Sequence, residues 1–307
     1  MFAERPFGVP QSLLLKFVSE GMKMNGIIIV DKPSGMTSHD VVSRMRRILG
    51  TRRIGHSGTL DPLATGVLPI FVGRATRACE FALCDEKAYT ARFRLGIVTD
   101  TQDITGEVLE KRPVTVTKEE VFSAVQSFVG DILQTPPMYS AIKVDGTPLY
   151  KLAREGKTVE RKARGIRIES ISARWIEEDE YEIDVSCSKG TYIRTLIYDI
   201  GEKLSCGATM TALRRTKSGV FTIARAKTLG EIEEEAELLP VDFMFSEYDA
   251  VTIDENGEKK CRNGAVVPFD GEKGKTYRVY SKKGEFLMLA VGDEKGNLIT
   301  IKSFFEV

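Results

Sequence analysis

The segment GHSGTLDPLATGVLP, residues 55–69, sets His56, Ser57 and Asp61 on a backbone interrupted by glycines at 55, 58 and 66 and prolines at 62 and 69. Neither a helix nor a plain strand tolerates that density of glycine and proline, so the segment reads as a loop running into the buried strand VLPIFVG. Asp61 precedes Pro62, which steers it toward an extended or turn geometry. Taken alone, an Asp-Pro pair is a turn or a helix cap, and a single histidine is a hydrogen-bonded structural residue. The setting points further, because Arg44, Arg46, Arg47, Arg52 and Arg53 crowd the preceding stretch. A carboxylate placed by rigid backbone beside positive charge is how a protein presents one acid to an anionic polymer that would otherwise repel it.

Other chemistries lack their residues. GKT occurs at 156–158 and 274–276, but the glycine a phosphate loop needs five positions earlier is replaced by Lys151 and Phe269. No GxGxxG follows an expected strand, and no GxSxG elbow exists. The five cysteines form no CxxC pair, and two histidines without further ligands at metal spacing make no metal site. Reduced thiols, a start without a cleavage site and no apolar run near the roughly 20 residues of a membrane span lead us to expect a cytoplasmic protein.

Lysine and arginine balance aspartate and glutamate, 44 against 44, so any positive surface must come from segregation. A second basic cluster, Lys151, Arg154, Lys157, Arg161, Lys162, Arg164 and Arg167, shares its segment with Tyr139 and Tyr150, whereas acid collects in EIEEEAE at 231–237. One charge run marks only a solvated face. Two clusters flanking candidate chemistry favour a polyanionic partner.

Elements must hold these groups in place. IIIV at 27–30 is a buried strand, and Val41, Val42, Met45, Ile48 and Leu49 repeat at helical spacing up to Gly50. Tyr89, Ala91, Phe93 and Leu95 alternate along one strand face, on which Tyr89 by itself reads as a core aromatic. A helix is expected over 118–129, a hairpin from IRIESISARWI and YEIDVSCS around EEDE, and a helix in KGTYIRTLIYDIGEKL whose first turn carries Tyr192 and Arg194. LRRT and a short acidic helix follow. Residues 134–165 lose apolar periodicity and read as an excursion from the core, while the tail from 246 breaks into short strands between NG, DG, KG and GN turns. Hairpins without a βαβ rhythm indicate an α+β fold on a mostly antiparallel mixed sheet flanked by helices.

NGIIIVDKPSGMTSHDVV, GHSGTLDPLATGVLPIFVGRATR, KAYTARFRLGIVTDTQDITGEV, QTPPMYSAIKVDGTPLYKLAREGK and CSKGTYIRTLIYDIGEKLSCGA together resemble, in order, the motifs of the TruB family of bacterial tRNA pseudouridine synthases. The likeness covers most of residues 25–220. It implies a catalytic domain over 25–245 with an RNA-binding thumb at 134–165, and a small PUA-like RNA-binding domain over 246–307. Residues 1–24 would be an extension, either disordered or upstream of the true start. The implied reaction isomerises the T-loop uridine of tRNA, position 55, to pseudouridine without cofactor or metal. Asp61 falls on the catalytic aspartate and Arg194 on the arginine that pairs with it. Tyr89 would stack on the flipped uracil and help remove its C5 proton, His56 would fill or buttress the space the nucleotide leaves, and Tyr192 and Leu213 would wall the pocket. Lys32 would support the pocket or touch RNA, and Arg154, Lys157, Arg161 and Lys162 would meet its backbone. The T-arm of tRNA is the implied partner, bound by a monomer with no obligate protein partner and no membrane.

Attack of Asp61 on the uracil ring, attack on the sugar carbon and proton loss from the ribose all satisfy this pattern. Competing readings are a tRNA-folding chaperone whose catalysis is secondary, a synthase guided by a separate RNA, and a nuclease or glycosidase. Intact Asp61, Tyr89 and Arg194 favour catalysis, and the thumb and short tail favour a stand-alone enzyme.

Overall fold

The apolar run at 27–30 becomes strand β1, Gly26–Lys32, and its lack of alternation follows from burial on both faces. The computed structural model describes residues 8–10, 24–82, 86–144 and 146–305. Ile28 and Val30 pack beneath helix α1, Ser38–Ile48, against Val41, Val42 and Met45. Ile27 and Ile29 face the other way, toward Phe71, Phe221, Phe245, Leu289 and Phe304. The helix begins at a capping box in which Thr37 and Asp40 bond each other's backbone, and Gly50 follows it with a positive φ.

After β2, Ile54–His56, strands β3, Thr65–Val72, and β4, Lys87–Leu95, form the middle of the main sheet. Helix α2, Lys118–Gln126, leads to β5, Gly130–Gln134. The hairpin is β6, Arg164–Glu177, and β7, Glu180–Cys187. Helix α3, Ile193–Lys203, and β8, Ala208–Ser218, complete it. The strand order is β1-β3-β8-β4-β7-β6-β5, antiparallel except where β8 runs parallel to β3. The alternating residues of β4 bury one face against Leu196, Ile197 and Ile200 of α3 and Val121 and Val125 of α2. A separate five-stranded sheet is built from Asp249–Thr252, Val267–Pro268, Thr276–Tyr280, Phe286–Gly292 and Asn297–Ser303. It is fastened to the segment after β3 by Arg77 on the Ser303 carbonyl at 3.1 Å and Lys302 on Glu80 at 2.6 Å, besides the shared aromatic core.

Three local expectations shift. The second helix stops at Gln126, where Ser127 caps it, and Val129 turns outward ahead of Gly130 at positive φ. The hairpin turn narrows to Glu178 and Asp179 because Glu177 already pairs with Glu180. The acidic stretch divides: Leu229–Glu234 is helical behind a Thr228 capping box, but Glu235–Glu237 is a strand with Ala236 fully buried. Its antiparallel partner is Gly8–Pro10. The rest of the expected extension up to residue 23 lies outside the described residues.

Gln134 at the end of β5 pairs with Arg164 at the start of β6, closing a neck from which residues 135–163 leave the sheet. They contain the short hairpin Lys143–Val144 with Thr147–Pro148 and a helix, Leu149–Arg154.

Gly66 lies at a tight crossing. Its φ is +99°, and a Cβ there would lie 2.2 Å from the Arg215 carbonyl oxygen across the parallel β3–β8 contact. Gly156 also has positive φ, but a Cβ would meet nothing. Gly66→Ala should therefore lower stability in urea unfolding by about 2–4 kcal/mol, against about 1 kcal/mol for Gly156→Ala.

Candidate active site

The loop between β2 and β3 carries Asp61 and has little regular structure of its own, so neighbouring elements hold its backbone. Ser38 at the start of α1 accepts from Leu60 N–H at 2.9 Å and donates to the Leu60 carbonyl at 3.2 Å. Gly35 N–H donates to the Pro62 carbonyl at 2.8 Å. Lys32, fully buried at the end of β1, donates to the carbonyls of Pro33, Met36 and Pro62 at 2.8, 2.6 and 3.3 Å. Burial pulls the Lys32 ammonium down to about 8, although the charge of Asp61 opposes the shift.

From the other side, α3 delivers Arg194. Its Nε lies 3.0 Å from Asp61 Oδ2, with the arginine side chain 5% exposed and the aspartate 39%. The remaining guanidinium nitrogens are occupied: they donate to the carbonyls of Thr101 and Tyr139 at 2.8 Å each, and Asp103 Oδ2 stands 3.8 Å away. Each guanidinium nitrogen thus has a partner, which orients the Nε edge toward Asp61. Tyr192 is the N-cap residue rather than part of the first turn. The buried Gln134 amide fixes its backbone, accepting from Tyr192 N–H at 2.8 Å and donating to its carbonyl at 3.1 Å.

Tyr89 and Leu213 lie on β4 and β8 with only a sliver of surface each, packed in one cluster with Leu60 and Ala64 of the loop. Burial raises the Tyr89 phenol above its ordinary value, while the neighbouring Arg215 charge pulls the other way. Burial likewise raises the Tyr192 phenol. His56 closes β2 half-buried, with Nε2 3.4 Å from Thr59 Oγ1, and burial lowers its pKa, helped by the positive charge of Arg215. Asp61 thus has Arg194 in direct contact, Lys32 joined through the Pro62 carbonyl, and the phenols of Tyr89 and Tyr192 within reach of its charge.

The four basic residues of the excursion do not join this cluster. Arg154 is exposed beside the Tyr150 ring at 5.6 Å, Lys157 pairs with Glu155 at 2.8 Å, and Lys162 is exposed. Arg161 is half-buried at the neck, donating to the Pro136 carbonyl at 3.1 Å. Between the neck, α3 and the segment 98–110 opens a cleft of about 800 Å³ lined in part by Gln102, Tyr139, Thr195 and Asp199. Burial pushes the Asp199 carboxyl up to about 6. Among the described residues no group of three or more His, Cys, Asp or Glu side chains could hold a metal ion.

Sequence reasoning passed over Arg215, Ser38, Gln134 and Asp103. Arg215 had a signal, since consecutive arginines in LRRT on a strand must point to opposite faces. Arg214 faces Asp31, bonding both carboxylate oxygens at 2.7 and 3.1 Å, and Arg215 turns inward. The other three act mainly through bonds to backbone or buried neighbours, which carry no periodicity.

Residues 46–193 match the family described as TruB family pseudouridylate synthase (N terminal domain), and residues 194–246 match the tRNA pseudouridylate synthase B C-terminal domain. A protein named tRNA pseudouridine synthase B from Clostridium perfringens is 46% identical over 285 residues, covering 89% of this chain and 97% of its own. One of the same name from Stutzerimonas stutzeri is 41% identical over 286 residues, 90% of this chain and 94% of its own. A chain of a crystallised Cbf5–Nop10–Gar1 complex superposes with a TM-score of 0.69 at 26% identity, covering 99% of this chain and 91% of that one. With two matched domains running from residue 46 to residue 246 and relatives this similar along nearly their whole length, the chain belongs to the TruB family of pseudouridine synthases.

Proposed function

We propose that this chain isomerises uridine 55 in the T-arm loop of tRNA to pseudouridine, with Asp61 as the catalytic carboxylate, and that it does so as a cytoplasmic monomer. The supporting observation is the half-exposed Asp61 carboxylate held 3.0 Å from a buried Arg194 whose two terminal nitrogens are bound to backbone carbonyls. The names and similarity of the relatives supply the substrate class.

In the overall change the N1–C1′ bond breaks and a C5–C1′ bond forms. The base loses the proton on C5 and gains one on N1, so no water, redox equivalent or group donor is consumed. One carboxylate is sufficient where a hydrolytic glycosidase uses two, because no water has to be activated. The uridine must leave its stack to reach Asp61, at a cost of a few kcal/mol. Tyr89 would lie against the extruded uracil, near its C5, with Leu213 and Tyr192 bounding the pocket and His56 at the position the nucleotide vacates. Lys32 acts through the backbone it holds, since its ammonium is buried on carbonyls. Arg154 and Lys162 have no carboxylate partner among the described residues, and with Lys157 and Arg161 they would meet RNA phosphates, with exposed bases supplying selectivity.

Asp61→Asn should lower single-turnover pseudouridine formation at least about a thousandfold while leaving the Kd for unmodified tRNA within about threefold, as read by carbodiimide-stop mapping and filter binding. A chaperone that needed no chemistry would instead show its full effect on tRNA folding in that variant. Binding should also weaken steeply with salt. In Lys162→Ala the slope of log K against log salt should become shallower by roughly one, with kcat on saturating tRNA little changed. An unaltered slope would remove Lys162 from the RNA contact.

A further inference from the structure

Arg215 is 1% exposed and among the largest fully buried side chains of the protein. Its Nε donates to the Val67 carbonyl at 2.7 Å and one terminal nitrogen donates to the Gly58 carbonyl at 2.8 Å. β8–β4 pairing sets Tyr89 directly opposite Arg215, so the two buried side chains lie on one face and the guanidinium charge acts on the phenol. No carboxylate pairs with Arg215 among the described residues. A buried charge without a counterion is costly, and burial accordingly lowers its own pKa. Neutral backbone could be held by neutral donors, so carbonyl bonding alone does not account for a full positive charge here. The charge also reaches His56 and Lys32, lowering both.

We infer that Arg215 is the positioning residue for Tyr89: one guanidinium holds the backbone three residues before Asp61 and stands beside the phenol paired with it across the strands, so that loop and phenol share one support and its unpaired charge acts on that phenol. The inference rests on reading this pocket as the active site. The charged or titratable groups that act on the phenol are Arg215 on β8, Cys187 on β7 and Asp61 on the loop. Arg215 and Asp61 act in opposite directions, and Arg215 is the stronger influence. Gly58 contributes by leaving room: its φ is +67°, and a Cβ would stand 3.1 Å from the Arg215 guanidinium.

The test incorporates 3,5-difluorotyrosine at position 89, whose intrinsic pKa lies near neutrality, and follows its ionisation by 19F NMR in the full-length protein without RNA. The phenol should titrate at least about one pH unit higher in Arg215→Met than in the parent, with Arg215→Lys between them. Identical titration in parent and Arg215→Met would overturn the inference. This measurement needs no turnover, so it stands apart from the assignment of the reaction. Should Arg215→Met fail to fold by circular dichroism, Arg215→Lys and Tyr89→Phe decide the matter through single-turnover rates. An arginine acting through the phenol predicts that the double variant is within about threefold of the slower single one. Losses that multiply would assign Arg215 to the backbone alone and overturn the proposal.

Discussion

The Asp61 carboxylate is half-exposed beside a buried guanidinium, and holding it there falls on a loop with almost no hydrogen bonding of its own. Asp61 sits in a stretch whose backbone is fastened from four sides: by Ser38 of α1, by Lys32 of β1, by Arg215 of β8 and by Gly35 in the turn between β1 and α1. Only after those bonds are made does Arg194 meet the carboxylate itself. Each fastening comes from a different element, so the loop geometry is a property of the assembled sheet. Glycine is required where the backbone takes a positive φ or comes close to β8, as at Gly58 and Gly66, and the Pro62 carbonyl is shared between Lys32 and the Gly35 N–H.

The charges follow the same arrangement. Lys32, Arg194 and Arg215 bring three cations into the interior around one half-exposed aspartate, with Asp103 as the nearby buried acid. Backbone carbonyls, rather than carboxylates, satisfy most of their protons. Carbonyl dipoles stabilise a cation while leaving its net charge, so the pocket keeps a positive field that an anionic ligand can use. Carboxylate partners would have satisfied the same protons and cancelled that field. The acid of the chain is instead spent at a distance, as in Glu233 on Arg44 at 2.6 Å.

Much of this was readable in the residues. The unbroken run at 27–30, the heptad-like spacing before Gly50 and the alternation from Tyr89 to Leu95 each predict an element that forms, because each pattern reports burial directly. The Asp61–Arg194 contact came from family resemblance, since 133 positions separate the two and no local pattern links them. Arg215 escaped notice because its partners are carbonyls 148 and 157 positions away, and any residue type supplies a carbonyl. The acidic stretch misled for a different reason. Glutamate favours helix, but buried Ala236 and pairing with Gly8–Pro10 convert its second half into strand, a tertiary contact overriding local propensity. The docking of the five-stranded sheet is hidden too, because Ile27 and Ile29 look alike whether a helix or a second sheet covers them.

The excursion at 135–163 leaves the sheet at a place that ties it to the chemistry. Gln134, its last strand residue, clamps the backbone of Tyr192, which caps the helix bearing Arg194. Tyr139, a few residues into the excursion, offers its carbonyl to the same Arg194 and its hydroxyl to Asp100 at 3.3 Å. Arg194 therefore spans two segments: its Nε is bound to Asp61 of the β2–β3 loop and one terminal nitrogen to the base of the excursion. A guanidinium is planar and rigid, so a displacement of the Tyr139 carbonyl either breaks a charge-assisted bond or rotates the group away from Asp61. At the tip of the excursion, a Cβ added at Gly146 or Gly156 would meet nothing within 4 Å. At its base, the Tyr139 carbonyl binds it to the geometry of the Arg194–Asp61 ion pair.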